Sequence, residues 1–328
     1  MAAPQEFVDA LAATLSYEPD FFYETGRPYG MPPFHYRRRK KLGQKPLDKM
    51  IAEMNIRRIQ LSLLLKSGAE KSNGFIPEID RDEYQGSAGR AFSIEDAARQ
   101  LRESWMLPDG PIENVTALIE NHGGIVVPCN FDSDLIDAVS QRIDGLPVLF
   151  FVNMNAPADR IRHTLCHELA HMVLHTTTFL DDDVMEEEAD HFAGAFLLPA
   201  KFVRSQLAKF EFRQIANMKK FWKISMSSIV MRADRLKQVT PYQKKSFFIQ
   251  MNKLGYRRNE PYEPQKEYPI KISRLVAYHR NVLGYSDKEL AKMLYINEAE
   301  FERMYGSQML GPQGPGGTSD RPTLRIVK

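Results

Sequence analysis

Cysteine is nearly missing from this chain: only Cys129 and Cys166 occur in 328 residues, which excludes a disulfide-built scaffold and suits a reducing compartment. A charge excess of either sign is missing too. Lys and Arg number 44 against 42 Asp and Glu, a formal +2, so any case for nucleic acid, a membrane surface or an acidic substrate rests on local patches. No apolar run reaches the length of a membrane span, and the amino terminus MAAPQEFVDALAATL carries acids without a long apolar core, unlike a signal peptide or anchor. A soluble cytoplasmic protein with no membrane association is the expectation. What is present is core material, 43% hydrophobic residues in a chain long enough for two or three structural units.

Four regions are expected. Residues 1–90 read as a helical N-terminal region: Phe7, Val8, Leu11, Ala12 and Leu15 fall at helical spacing, a basic run at 37–41 precedes a long helical pattern through Met50, Met54, Leu61 and Leu65, and the stretches at 72–74 and 86–89 read as linker. Residues 91–237 hold the motifs discussed next. There, Ser93 and Asp96 have capping-box spacing ahead of a helix bearing Ala97, Leu101 and Trp105. A helix over roughly 112–121 ends at Gly123 and Gly124, Ile125, Val126 and Val127 form a strand, and 138–143 with 148–152 form a hairpin about Asp144-Gly145. Helices follow at about 158–175 and 185–198, joined by a polar loop. Residues 238–310 read as helical, and 311–328 as a flexible Gly- and Pro-rich tail.

The first of those two helices carries His167-Glu168-Leu169-Ala170-His171, an H-E-x-x-H pattern. Residues four apart share a helical face, so both imidazoles point at one tetrahedral ion while Glu168 lies beside it as general base. Two histidines leave zinc short of the three protein ligands of a catalytic site. The second helix offers Glu186 and Asp190 at i and i+4 on the face of Ala189, Ala193 and Leu197. Glu186 is the expected third ligand, and Asp190 is placed to accept the free ring N–H of a ligating histidine. Glu187 and Glu188 are expected to face away, Glu188 being the one that a half-turn change of helix phase brings inward. A three-histidine alternative fails, because Leu174 and Thr177 stand where it needs Gly and His.

Plainer readings stand beside this one. H-E-x-x-H recurs in helices by chance, and the acidic run 181–183 reads as a solvated helix start favoured by the helix dipole. His163, His175 and His191 are more often packed or surface residues, with His163 or His175 as candidate contacts to a substrate carbonyl. Cys166, mid-helix and apolar, reads as a buried filler rather than a nucleophile.

The two helical motifs, with Pro111-Ile112-Glu113-Asn114-Val115, Gly124-Ile125-Val126-Val127, Phe196-Leu197-Leu198-Pro199 and the stretch 225–236, resemble the ImmA/IrrE metallopeptidases. The resemblance covers somewhat over a third of the chain. It implies an α+β fold with a minimal zincin-like core, extended here by helices at both ends, and a site-specific endopeptidase that cuts a helix-turn-helix transcriptional repressor in a stress, phage or mobile-element response. It also implies one zinc per chain, the ligands His167, His171 and Glu186, and the base Glu168. Many long relatives begin with a helix-turn-helix domain; residues 5–45 look like the tail after such a domain, and the domain itself is not expected here.

On the sequence reading, the strand at 148–152 is expected to pair with the substrate backbone. The rival reading is a zinc-containing regulator or sensor that binds DNA or a protein without proteolysis. It draws on the basic run at 37–41 and on 286–305, where Ser286/Glu289 and Asn297/Glu300 suggest two capped helices of a helix-turn-helix. Against it, the second of those helices carries Glu298, Glu300 and Glu302 with Arg303 alone, which repels phosphates.

Overall fold

The computed structural model describes residues 4–24, 28–30, 43–68, 74–80, 92–129, 131, 136–176, 180–207, 209–257 and 259–306. The basic run at 37–41, most of the two linker stretches and the tail from 311 lie outside these. The described residues form thirteen α-helices and one three-stranded mixed sheet, an α+β architecture. None of the helices is long and apolar enough to cross a membrane. The chain divides into two compact units, Gly26–Lys271 and Met1–Thr25 with Ile272–Lys328. This division departs from the sequence boundaries at 90 and 237: Phe247 and Met251 are buried in the same core as the helices before them, so residues 238–271 belong with the larger unit.

That unit contains α2 (Gln44–Leu65), α3 (Ile94–Ser104), α4 (Val115–Asn121), β1 (Gly124–Cys129), β2 (Ala138–Gln141), β3 (Val148–Asn153), α5 (Ala158–Leu174), α6 (Asp182–Leu197), α7 (Ala200–Gln206), α8 (Phe212–Trp222), α9 (Met226–Arg235) and α10 (Pro241–Lys253). The sheet order is β1-β3-β2, β3 pairing parallel with β1 and antiparallel with β2. The expected hairpin forms, with Val139 opposite Phe151. The expectation that 148–152 would take up a substrate strand is overturned: β3 is central, and both its edges are already hydrogen-bonded. All three strands are buried throughout, which is why β1 and β3 read as apolar runs rather than alternating ones.

Two local details differ from the sequence reading. The helix expected from 112 starts at Val115, where the Asn114 side chain accepts from Ala117 N–H. Ser93 stands at the N-cap of α3 without a side-chain bond; its expected capping-box partner Asp96 binds Arg99 instead. Gly123 turns the chain from α4 into β1 at φ +93°, and a Cβ there would sit 2.5 Å from the Gly74 carbonyl, so glycine is required.

A non-helical strap at 259–270 supplies helix caps from far along the chain. Glu260 accepts the N–H groups of Met226 (2.7 Å) and Ser227 (3.3 Å) at the start of α9. Glu263 accepts Ala158 N–H (3.0 Å) at the start of α5, and Glu267 accepts those of Val115 (2.8 Å) and Thr116 (3.0 Å) at the start of α4. In return Glu120, on α4, accepts Ile270 N–H at 2.8 Å. Each carboxylate satisfies orphan N–H groups and sits at the positive end of a helix dipole. Two buried ion pairs run alongside, Arg162–Glu267 and Lys219–Asp159, with Glu260 3.0 Å from Lys219.

The smaller unit joins α1 (Gln5–Leu15) and a 3₁₀ turn (Pro19–Tyr23) with α11 (Lys271–Asn281), α12 (Asp287–Met293) and α13 (Glu298–Tyr305). Tyr17 forms an antiparallel bridge with Ile296, and Glu18 N–H donates to the Tyr295 carbonyl at 2.9 Å. Residues 4–24 are thus a built part of this unit. The expected capped pair is present: Ser286 and Glu289 form a reciprocal capping box, Asn297 caps α13, and Tyr295 between them takes φ +62°.

In the larger unit, Glu95 on α3 is held by Arg232 of α9 and by His191 of α6 at 2.8 Å. Burial pushes this carboxyl up, but hydrogen bonds from Arg232 and His191 outweigh it and carry the pKa down to about 2. A lowered folded-state pKa contributes stability that is present above the unfolded value of about 4.3 and disappears as pH falls towards the folded one. Thermal unfolding of Glu95→Gln beside wild type should therefore show a stability deficit that is constant from pH 8 to about 5 and closes as pH falls towards 2.

Candidate metal centre

Helix α5 is buried along almost its whole length, so its face and depth are set by neighbours on every side rather than by one apolar stripe. Its N-cap residue is Pro157, which offers no side-chain cap; Glu263 of the strap does that work. Helix α6 crosses it with Met185, Ala189, Phe192 and Phe196 buried.

This crossing brings His167, His171 and Glu186 together, one donor atom from each within 4.8 Å of the others. The Nε2 atoms of the two histidines are 3.1 Å apart, and Glu186 Oε1 lies 3.4 Å from that of His171 and 3.8 Å from that of His167. Donors bound tetrahedrally at about 2.0–2.1 Å from zinc stand roughly 3.3 Å from one another, so the cluster has the spacing the ion needs. The donor set, two imidazoles and a carboxylate, suits zinc as well. His167 and His171 are 3% and 0% exposed.

Asp190 Oδ1 lies 2.8 Å from His167 Nδ1, the contact expected from its i+4 spacing to Glu186. Burial pushes His167 down, but the bonds to Asp190 and Glu186 outweigh it and raise its pKa to about 9: the carboxylates make this a place that favours a cation. Glu168 is fully buried beside the cluster. Its Oε2 accepts Ser140 N–H at 2.9 Å and Ser140 Oγ–H at 2.7 Å, and its main-chain carbonyl lies 3.2 Å from the same hydroxyl. Ser140, on β2, has no motif around it, and only the pairing of β2 with α5 reveals it.

The two histidines considered as substrate contacts part company. His163, one turn before His167, lines cavities of about 780 Å³ and 220 Å³, and burial lowers its pKa. His175 is buried beyond His171, its Nδ1 2.9 Å from His171 Nδ1 and its Nε2 3.0 Å from Glu188 Oε2. The expectation that Glu188 faces away is thereby corrected, while Glu187 does so with 76% of its side chain exposed. At about 100° per residue, Glu186 and Glu188 fall roughly 80° to either side of the stripe through Met185, Ala189, Phe192 and Phe196. The sequence reading centred that stripe on Ala189, Ala193 and Leu197, and so misplaced one flank. Cys166 is buried and pushed up to about 12 by desolvation, a filler rather than a nucleophile.

A ligand that binds only the folded chain stabilises it, by about 4 kcal/mol at a thousand times its Kd. Zinc added to chelator-treated protein should raise the melting temperature, chelator should reverse the rise, and His171→Ala should remove it.

Residues 120–234 match the model of the Peptidase M78 family, described as the IrrE N-terminal-like domain. No curated protein matches the chain. The matched segment runs from the end of α4 to the end of α9 and takes in every member of the His–His–Glu cluster, Glu168, Asp190 and Ser140. This part of the chain is similar to the peptidase domains of the ImmA/IrrE type.

Proposed function

We propose that the chain is a cytoplasmic zinc-dependent endopeptidase with a zincin-like core, holding one zinc through His167, His171 and Glu186. The observation that carries this is the buried cluster of those three side chains with the Glu168 carboxylate beside it. When bound, the metal supplies a Lewis acid that polarises a scissile carbonyl and acidifies a water. The Glu168 carboxylate takes the proton from the attacking water and returns it to the leaving amine. Ser140, through its N–H and Oγ–H, fixes that carboxylate in one orientation, and Asp190 fixes the His167 ring so that Nε2 faces the cluster. The substrate proposed is a helix-turn-helix repressor, cut at one site to release a stress, phage or mobile-element response; the family match supports this class of role. Glu168→Gln should abolish cleavage of a repressor encoded beside its gene while bound zinc, by elemental analysis, persists; retained proteolysis removes Glu168 from the role of base.

A second reading, a zinc-containing regulator that binds DNA or a partner protein without cutting, is favoured by the α12–α13 pair, which has the capped helix–turn–helix form. The exposed residues of α13 include Glu298, Glu302 and Arg303, a balance unsuited to phosphates. On the peptidase reading the purified protein shows no salt-dependent gel shift with DNA; a shift that weakens steeply with salt favours the regulator.

A further inference from the structure

The two histidines of the cluster are supported unequally. His167 meets a carboxylate directly, Asp190, whose side chain is 60% exposed. His171 instead meets His175, and His175 meets Glu188, with both imidazoles buried.

The proton arrangement follows from the end of that chain. An ionised carboxylate only accepts, so His175 carries its proton on Nε2 and donates it to Glu188. In the neutral ring His175 Nδ1 is the acceptor, and it takes the proton that His171 carries on Nδ1, which leaves the lone pair of His171 on Nε2. That atom faces His167 and Glu186. The contacts of 2.9 Å and 3.0 Å are both within hydrogen-bond range.

We propose that His175 and Glu188 form a two-residue relay that orients His171 and holds it in the tautomer that presents Nε2 to the metal. The proposal rests on the metallopeptidase reading and assigns both residues as positioning residues rather than substrate contacts. His175 stands at the C-cap of α5, one turn past His171, and α6 delivers Glu188 to it from the flank opposite Glu186. One helix therefore supplies a ligand from one side of its buried stripe and an orienting carboxylate from the other.

The test is zinc affinity, read by competition with a chromogenic chelator, with thermal unfolding of metal-free and zinc-loaded protein beside it. Loss of an outer partner of a ligating histidine weakens metal binding by about 10–100-fold, and that is the effect expected for Glu188→Ala and for His175→Phe. Glu188→Gln, whose amide oxygen still accepts from His175, should stay close to wild type. The double variant should be no weaker than His175→Phe alone, since the two act as one unit. Zinc-loaded Glu188→Ala should fall further below wild type than the metal-free variant does, so that its zinc-induced rise shrinks.

The relay is overturned if Glu188→Ala binds zinc as tightly as wild type, or if Glu188→Gln loses as much affinity as Glu188→Ala. It is also overturned if metal-free Glu188→Ala melts as far below wild type as the zinc-loaded form does, the mark of a purely structural role. Should His175→Phe fail to fold, the Glu188→Ala and Glu188→Gln pair decides alone. Wild-type protein that binds no zinc removes the metallopeptidase reading and the relay with it, an outcome distinct from tight wild-type binding with unaffected variants.

Discussion

Three buried imidazoles and the carboxylates around them are tolerable in a protein interior only as a mutually paired set, because each desolvated charge costs several kcal/mol unless a partner offsets it. His167 meets Asp190, His171 meets His175, and His175 meets Glu188. Glu168 beside them is held by Ser140. The pairings are geometrically exact in a way that loose packing would not permit: a helical residue displaced by one position turns its side chain by about 100°. The depth and rotation of α5 against α6 are thus the constraint on which the rest depends.

Much of the larger unit serves that constraint. The strap at 259–270 caps α5 with Glu263, α4 with Glu267 and α9 with Glu260. Arg162, four residues before Cys166 on α5, pairs with Glu267, and Asp159 on its first turn pairs with Lys219 of α8. Helix α5 is therefore tied by charge at its start as well as by packing on its faces. Removing one partner of such a pair leaves an uncompensated buried charge, which typically costs about 3–5 kcal/mol. The sheet adds Ser140 through β2, and the same strand order that places it there makes β3 central.

Legibility in the sequence followed the range of the interaction. The H-E-x-x-H helix, the second helix with Glu186 and Asp190, the hairpin and the capping box at Ser286 all depend on spacings of two to four residues, and each is legible in the sequence. Glu188 was misjudged although it is equally close in sequence, because the buried face of α6 is centred by Phe192 and Phe196, and only the packing shows this. Ser140 was missed because a serine on a strand has no signal of its own. The caps from Glu260, Glu263 and Glu267 were missed because a search for helix caps looks one to three residues upstream, whereas these arrive from as much as 152 residues away.

By itself, then, the sequence determined which residues are chemically able to gather round an ion and which helical faces bear them, since the helical repeat is a local property of the backbone. Tertiary structure alone decided which face of α6 meets α5, that the two histidines of the cluster meet different partners, that a distant strap caps the start of α5, and that the two ends of the described chain share one unit. Those outcomes depend on burial and on charge pairing between residues far apart in the chain, and neither leaves a periodic mark on the sequence.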